Sequence, residues 1–191
     1  SSMNHKRALD GDKGANTGGM GTIAPNPLYT AALAAECEEK IFLPTLRAMN
    51  EEGRPFKGCL YFGLMLTKDG PKVIEYNCRF GDPETQVVLP LLEGDLAEIM
   101  LAVSEERLSN CDFGQKDGYA CCVIMASRGY PEKYEIGFEV SAPQDMEGRI
   151  LYAGVKQGDG TLLSSGGRVL GVVGTGKCLD GAIKAAYDGI S

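Results

Sequence analysis

The chain has 191 residues, with 19 Lys and Arg against 26 Asp and Glu, a net charge of -7 and a sequence pI near 4.8. Hydrophobic residues make up 43% and charged residues 24%, both near the globular average, which excludes disorder and collagen-like repeats. The acidic balance argues against a nucleic-acid partner, and the lack of any run of ~20 apolar residues or an apolar core in residues 1–30 argues against membrane insertion and secretion.

The predicted elements begin with a long glycine-rich polar loop over residues 1–28, containing Asp10-Gly11-Asp12 and Asn16-Thr17-Gly18-Gly19-Met20-Gly21. Leu33, Cys37 and Ile41 recur at helical spacing from Thr30, and the helix continues past a kink at Pro44 through Leu46 and Met49 to Gly53. Cys59 to Thr67 and Lys72 to Asn77 form a hairpin around Lys68-Asp69-Gly70-Pro71. A helix starts at Asp95, which stands with Glu98 in capping-box positions. After the polar stretch 109–117 the texture turns β-rich, with strands at Tyr119 to Met125, Arg149 to Val155 and Arg168 to Val173, then a helix marked by Leu179, Ile183 and Ala186. A domain boundary is placed near residue 113. Seven cysteines without a CxxC pair fit reduced cytosolic thiols, and a lone histidine, His5, leaves little material for imidazole chemistry. Glycine, 26 of 191 residues, is about twice as frequent as the usual ~7% and points to turns and to backbone approaching a ligand.

Alternation along the return strand puts Val73, Glu75 and Asn77 on one face and Ile74, Tyr76 and Cys78 on the other. If the extended backbone persists, Arg79 joins the first set. A carboxylate and an amide carbonyl two residues apart can share a hard cation such as Mg²⁺, with a guanidinium beside it meeting a phosphate. A polar solvent face of an antiparallel strand gives the same pattern, so spacing alone leaves both readings open. The N–H groups of residues 16–21 could converge on an anion, or the segment could be a surface loop. Gly171, Gly176 and Lys177 match the spacing of a phosphate-binding P-loop, but Cys178 replaces its Ser/Thr and the motif starts inside an apolar strand, so a strand-turn-helix connection is expected there.

Arg79-Phe80-Gly81-Asp82-Pro83-Glu84-Thr85-Gln86 closely resembles the signature of the phosphoribosylamine–glycine ligases, or glycinamide ribonucleotide synthetases, within the ATP-grasp ligases. His5-Lys6-Arg7, Gly11-Asp12, the 16–21 run, Pro71 to Cys78, Gly129-Tyr130-Pro131 and Gly166 to Leu170 agree in the same order. The resemblance implies an α+β chain: a partial ATP-grasp subdomain at 1–113, then a small β-rich domain at 114–191. It implies a cytoplasmic enzyme of purine biosynthesis that uses ATP and Mg²⁺ or Mn²⁺ to join glycine to 5-phosphoribosylamine through glycyl phosphate. Glu75 and Asn77 would hold the metal and, with Arg79, the nucleotide phosphates; Arg79 would steady the transferring phosphoryl group. Asn16, Thr17, Gly18, Gly19, Asp82 and Glu84 would contact substrate. Many ATP-grasp enzymes carry an acidic metal ligand on the preceding strand, where Gly63-Leu64-Met65-Leu66 has none. The family's N-terminal domain, a further partner in the same polypeptide, is also missing, so the fragment alone is expected to be inactive. Another ATP-grasp carboxylate–amine ligase and a non-catalytic module of the same fold are the alternatives.

Overall fold

A computed structural model describes residues 1–141 and 149–190. In chain order the elements are β1 Met3–Leu9, β2 Lys13–Ala24, α1 Ala31–Cys37, α2 Leu43–Glu51, β3 Tyr61–Thr67, β4 Gly70–Asn77, α3 Thr85–Val88, β5 Leu92–Glu93, α4 Leu96–Ser104 and β6 Gly114–Gln115. They continue with β7 Tyr119–Ala126, β8 Glu139–Val140, β9 Arg149–Tyr152, β10 Val155–Gln157, β11 Leu162–Ser164, β12 Arg168–Gly176 and α5 Leu179–Asp188. Both helix and sheet are present, as expected of an α+β chain.

The residues gather into two compact units, each discontinuous in sequence: Ser1–Asn26 with Asp82–Leu91 and Lys116–Ser191, and Pro27–Gly81 with Leu92–Gln115. Contacts therefore cross a linear division at residue 113, because β2 pairs with β7.

The first unit is built on an antiparallel sheet of order β1-β2-β7-β12-β9. Strand alternation sorts the adjacent cysteines of β7 onto opposite faces. Cys122 joins Ala24, Val87, Leu91, Ala120, Ile124 and Val173 in one buried cluster, while Cys121 joins Ile23, Ala182 and Ala186 of α5 in another. A small sheet of order β10-β11-β8 completes the described part of this unit.

The predicted loop at 1–28 is instead the β1–β2 hairpin. Its strands carry little apolar alternation, and what holds them is backbone pairing: β2 lies between β1 and β7, and a Cβ at Gly21 would fall 2.9 Å from the Cys122 carbonyl oxygen. Glycine there marks close strand approach rather than a turn.

In the second unit, Thr30 caps α1 by accepting from the Leu33 N–H. The helix runs through a π-helical turn at Glu38–Phe42 into α2, whose first turn contains Pro44. The wider turn stands directly before Pro44, which has no N–H to give to the preceding turn. Phe42, Phe62 and Tyr76 meet in sequence, the first pair tilted and the second edge-on, with ring centroids 4.5 and 5.4 Å apart, and join the helix to the β3–β4 hairpin. Asp95 caps α4 by accepting from the Ala97 and Glu98 N–H groups at 2.8 and 3.2 Å. Glu98 instead accepts from Arg107 at 2.7 Å.

Candidate active site

The candidate residues fall into two groups, one in each unit. In the second unit, β3 and β4 pair with Gly63 opposite Glu75 and Tyr61 opposite Asn77, and a bulge follows Gly63. Glu75 and Asn77 thus share a face, as alternation predicts. A Cβ on Gly63 would lie 2.7 Å from Glu75 Cγ, so this glycine gives the Glu75 side chain its place across the neighbouring strand. Solvent exposure does not separate the two faces, since Ile74 and Tyr76 are 57% and 50% exposed.

β4 ends at Asn77, so Arg79 does not extend the Glu75–Asn77 face as the conditional expectation required. Its Nη1 donates to the Phe80 carbonyl at 2.9 Å. Among the described residues no group of three or more His, Cys, Asp or Glu side chains could hold a metal. What the hairpin offers is one carboxylate and one amide oxygen, hard donors that suit Mg²⁺ or Mn²⁺ completed by water and phosphate oxygens.

In the first unit, residues 16–19 lie within β2, and the fold brings them to Asp82 and Glu84. Pairing with β1 holds at Arg7–Asn16 and resumes at His5–Gly21, so residues 17–20 bulge out of that ladder. Thr17 Oγ1 donates to the Lys6 carbonyl at 2.8 Å and accepts from the Gly19 N–H at 2.9 Å. The Gly18 N–H donates to the Tyr130 hydroxyl at 3.1 Å. Two of the N–H groups expected to converge on an anion are therefore bonded within the protein. Gly19 has φ of +120°, and a Cβ there would fall 2.4 Å from Pro83 Cδ and 2.8 Å from Asn4 Oδ1, so only glycine fits.

Glu84 is 5% exposed and accepts from Asn4 Nδ2 at 2.8 Å, while its carbonyl opens α3. Asp82 accepts from Gln86 Nε2 at 3.0 Å and, through both oxygens, from the two Nη atoms of Arg168 at 3.2 Å. Buried Asn4 Oδ1 and Gln86 Oε1 have no hydrogen-bond partner among the described residues. Below this group, burial pushes the Cys122 thiol up to about 12, with Cys121 and Asp82 adding to the rise and Arg168 opposing it. Sequence reasoning assigned no role to Asn4, Tyr130 or Arg168. The latter two stand in family-like motifs, and the signal that joins them is Gly167, where a Cβ would meet the Tyr130 ring at 2.2 Å.

The P-loop-like spacing ends in packing. Gly171 lies in mid-strand, paired with Ile124 and Leu151, and a Cβ at Gly176 would fall 2.7 Å from the Ala182 nitrogen of α5. A cavity of about 290 Å³ opens there, lined by Pro90, Leu91, Lys116, Asp117, Tyr119, Thr175, Gly176 and Lys177. None of the candidate residues lines it.

Residues 1–85 match the phosphoribosylglycinamide synthetase ATP-grasp (A) domain, and residues 120–191 match the C domain of the same synthetase. The chain belongs to the phosphoribosylglycinamide synthetase family. It is 48% identical over 190 residues to the phosphoribosylamine–glycine ligase of Clostridium acetobutylicum, covering all of this chain and 46% of that protein. It is 47% identical to the bifunctional purine biosynthetic protein of Schizosaccharomyces pombe, covering 98% of this chain and 24% of that one. The crystal structure of phosphoribosylamine–glycine ligase from Thermotoga maritima superimposes with a TM-score of 0.83 at 37% identity, over 99% of this chain and 47% of that one. The chain thus spans less than half the length of these relatives.

Proposed function

We propose that the protein as encoded in full joins glycine to 5-phosphoribosylamine with ATP, giving glycinamide ribonucleotide, ADP and phosphate in the cytoplasm. The observation that carries this reading is the match of both the A and C domains of one synthetase along a single chain. Glu75 and Asn77 would hold Mg²⁺, or Mn²⁺ in its place. When bound, that ion supplies neutralisation of charge on the ATP phosphates. Arg79, with the only permanent positive charge among the three, would turn from the Phe80 carbonyl to steady the transferring phosphoryl group. The 16–19 bulge and the Asp82–Glu84 turn would form the wall against which glycine and phosphoribosylamine are held. Attack of the amine nitrogen on glycyl phosphate then forms the amide and releases phosphate; exclusion of water protects that acyl phosphate.

The division into an ATP-grasp part at 1–113 and a C-terminal part at 114–191 belongs to the same proposal and is supported by family matches on either side of residue 113. Residues 1–191 alone are expected not to turn over, being less than half of each relative. Among the described residues no helix is long and apolar enough to cross a membrane.

The test is ADP release by the protein as encoded in full, with phosphoribosylamine generated in place and each substrate omitted in turn. Release that requires glycine, the amine and divalent metal supports the reading. Release that follows another carboxylate points to a different ATP-grasp ligase, and no release from a folded, ATP-binding protein points to a non-catalytic module.

A further inference from the structure

The bulge at residues 17–20 has lost its ladder partner on β1 but is held in place by side chains from elsewhere in the unit. Gly18 is grasped at both polar groups of its backbone: its N–H donates to the Tyr130 hydroxyl, and its carbonyl accepts from Arg168 Nη1 at 3.1 Å. Arg168 opens β12, where its own carbonyl accepts from the Gly154 N–H at 2.9 Å, so the side chain projects from fixed backbone. Its guanidinium reaches Asp82 through both Nη atoms at 3.2 Å, a two-pronged geometry that a lysine ammonium cannot reproduce. The Arg168 side chain is 23% exposed and that of Asp82 55%, so solvent screens the pair in part and its geometry rather than its charge carries the hold. A Cβ at Gly18 would lie 3.0 Å from Arg168 Cζ, so glycine at 18 is what lets the guanidinium lie against the backbone.

We propose that Arg168 is the positioning residue that fixes the 17–20 bulge to the Asp82 turn, so that the wall holding the non-nucleotide substrates is set before they bind. This rests on the reading under Proposed function. Bulges beside functional sites re-aim the chain locally, and here one Arg168 hydrogen bond to the Gly18 carbonyl ties the bulge to the residue that the guanidinium fork holds, Asp82. Arg168 acts through Gly18 and Asp82 and needs no contact with the reacting atoms. The Glu75–Asn77 strand lies outside its hydrogen bonds, which makes the predicted effect selective.

The experiment compares Arg168→Ala, Arg168→Lys, Asp82→Asn and the Ala/Asn double variant in the protein as encoded in full. Initial rates of ADP release give KM for ATP, glycine and phosphoribosylamine separately, and hydrogen exchange reports the amides of residues 16–21. Arg168→Ala should raise KM for glycine, phosphoribosylamine or both by about tenfold or more, the scale of losing a charge-assisted two-pronged bond, with KM for ATP within about twofold. Arg168→Lys should recover part of this loss. Asp82→Asn should add little to Arg168→Ala, because both break one bond set. Exchange at Gly18 and Gly19 should quicken about tenfold while β7 and β12 stay protected.

Unchanged KM values with kcat reduced in proportion to the folded fraction would make Arg168 merely structural and overturn the proposal. Unchanged exchange at Gly18 and Gly19 would overturn it whatever the rates. A wild-type protein without glycine-dependent ADP release would refute the ligase reading instead, while exchange would still decide whether Arg168 fixes the bulge. If Arg168→Ala fails to fold, Arg168→Lys and Asp82→Asn, which keep the bulk of the side chains, carry the same decision.

Discussion

Replacing Gly174 with alanine tests whether helix α5 rests directly on the backbone of β12. The added Cβ would fall 2.3 Å from the Ala186 nitrogen, 2.4 Å from the Ala182 carbonyl oxygen and 2.8 Å from the Ala185 carbonyl carbon. Ordinary contact lies at 3.4–4 Å, so helix or strand must retreat by about 1 Å, and neither obstacle is a side chain that can swing away. Ala182 and Ala186 are fully buried at this contact, and their cluster with Ile23 and Cys121 would open along with it. Overpacking costs about 1–3 kcal/mol, and with backbone on both sides the upper end applies. Gly171→Ala is the internal control. Its Cβ would meet Cys122 Sγ at 3.2 Å and Ile124 Cδ1 at 3.5 Å, side-chain atoms with freedom to adjust, so the loss should stay below about 1 kcal/mol. With a urea m-value of about 2 kcal/mol/M, Gly174→Ala should lower the unfolding midpoint by about 1.5 M and Gly171→Ala by less than about 0.5 M. Urea titration followed by far-ultraviolet circular dichroism reads both. A Gly174→Ala midpoint within about 0.3 M of the parent, or one above that of Gly171→Ala, would refute the packing account.

Other substitutions reach the proposed chemistry and the local caps. Glu75→Gln keeps the shape but removes the anionic donor, and should raise the metal concentration for half-maximal ADP release at least about tenfold in the protein as encoded in full. Gly63→Ala leaves every charge in place yet displaces Glu75, and the same metal titration should shift in the same direction by a smaller factor. Asp95→Ala removes the cap of α4 and should cost about 1 kcal/mol in urea unfolding, with KM values unchanged. Burial raises the Cys121 and Cys122 thiols to about 11 and about 12, so the folded state holds these protons more tightly than the unfolded state. Their contribution to stability is complete below about pH 8.5 and declines as pH rises through the folded values. The urea midpoint should therefore fall above about pH 8.5, and Cys122→Ala should flatten that fall. Native protein should present exposed Cys78 and Cys178 to a thiol reagent, while Cys37, Cys121 and Cys122 react only on unfolding.

Much of the second unit was legible because its signals are local. Thr30 and Asp95 are capping residues, and the hairpin lies between a turn sequence and alternating strands; the structure has each in place. Alternation also placed Glu75 and Asn77 on one face. β1 and β2 were missed because pairing, not hydrophobic pattern, makes them strands. The group around Asp82 and Glu84 was legible only in part for a related reason. Residues 16–19 and 82–84 stood out as motifs, but the groups that bind them together, Asn4, Tyr130 and Arg168, are up to 150 positions away in sequence, and no periodicity carries that information.

Part of the surplus of glycine finds its explanation in what lies against particular positions. At Gly174 and Gly176 the neighbour is helix backbone, which is why a sequence spaced like a phosphate loop serves α5 instead. At Gly63, Gly18 and Gly167 the neighbours are the side chains of Glu75, Arg168 and Tyr130. A glycine against backbone lets two elements pack; a glycine against one polar or aromatic side chain lets that side chain take a single position. The second kind falls beside the proposed metal donor and around the bulge that Arg168 and Tyr130 hold. An acidic residue at position 63 would contest the space occupied by Glu75, whose Cγ lies 2.7 Å from where a Cβ would stand. At Gly63 and Gly18 the backbone leaves the space in which the Glu75 and Arg168 side chains lie, and those placements are what an added Cβ would disturb.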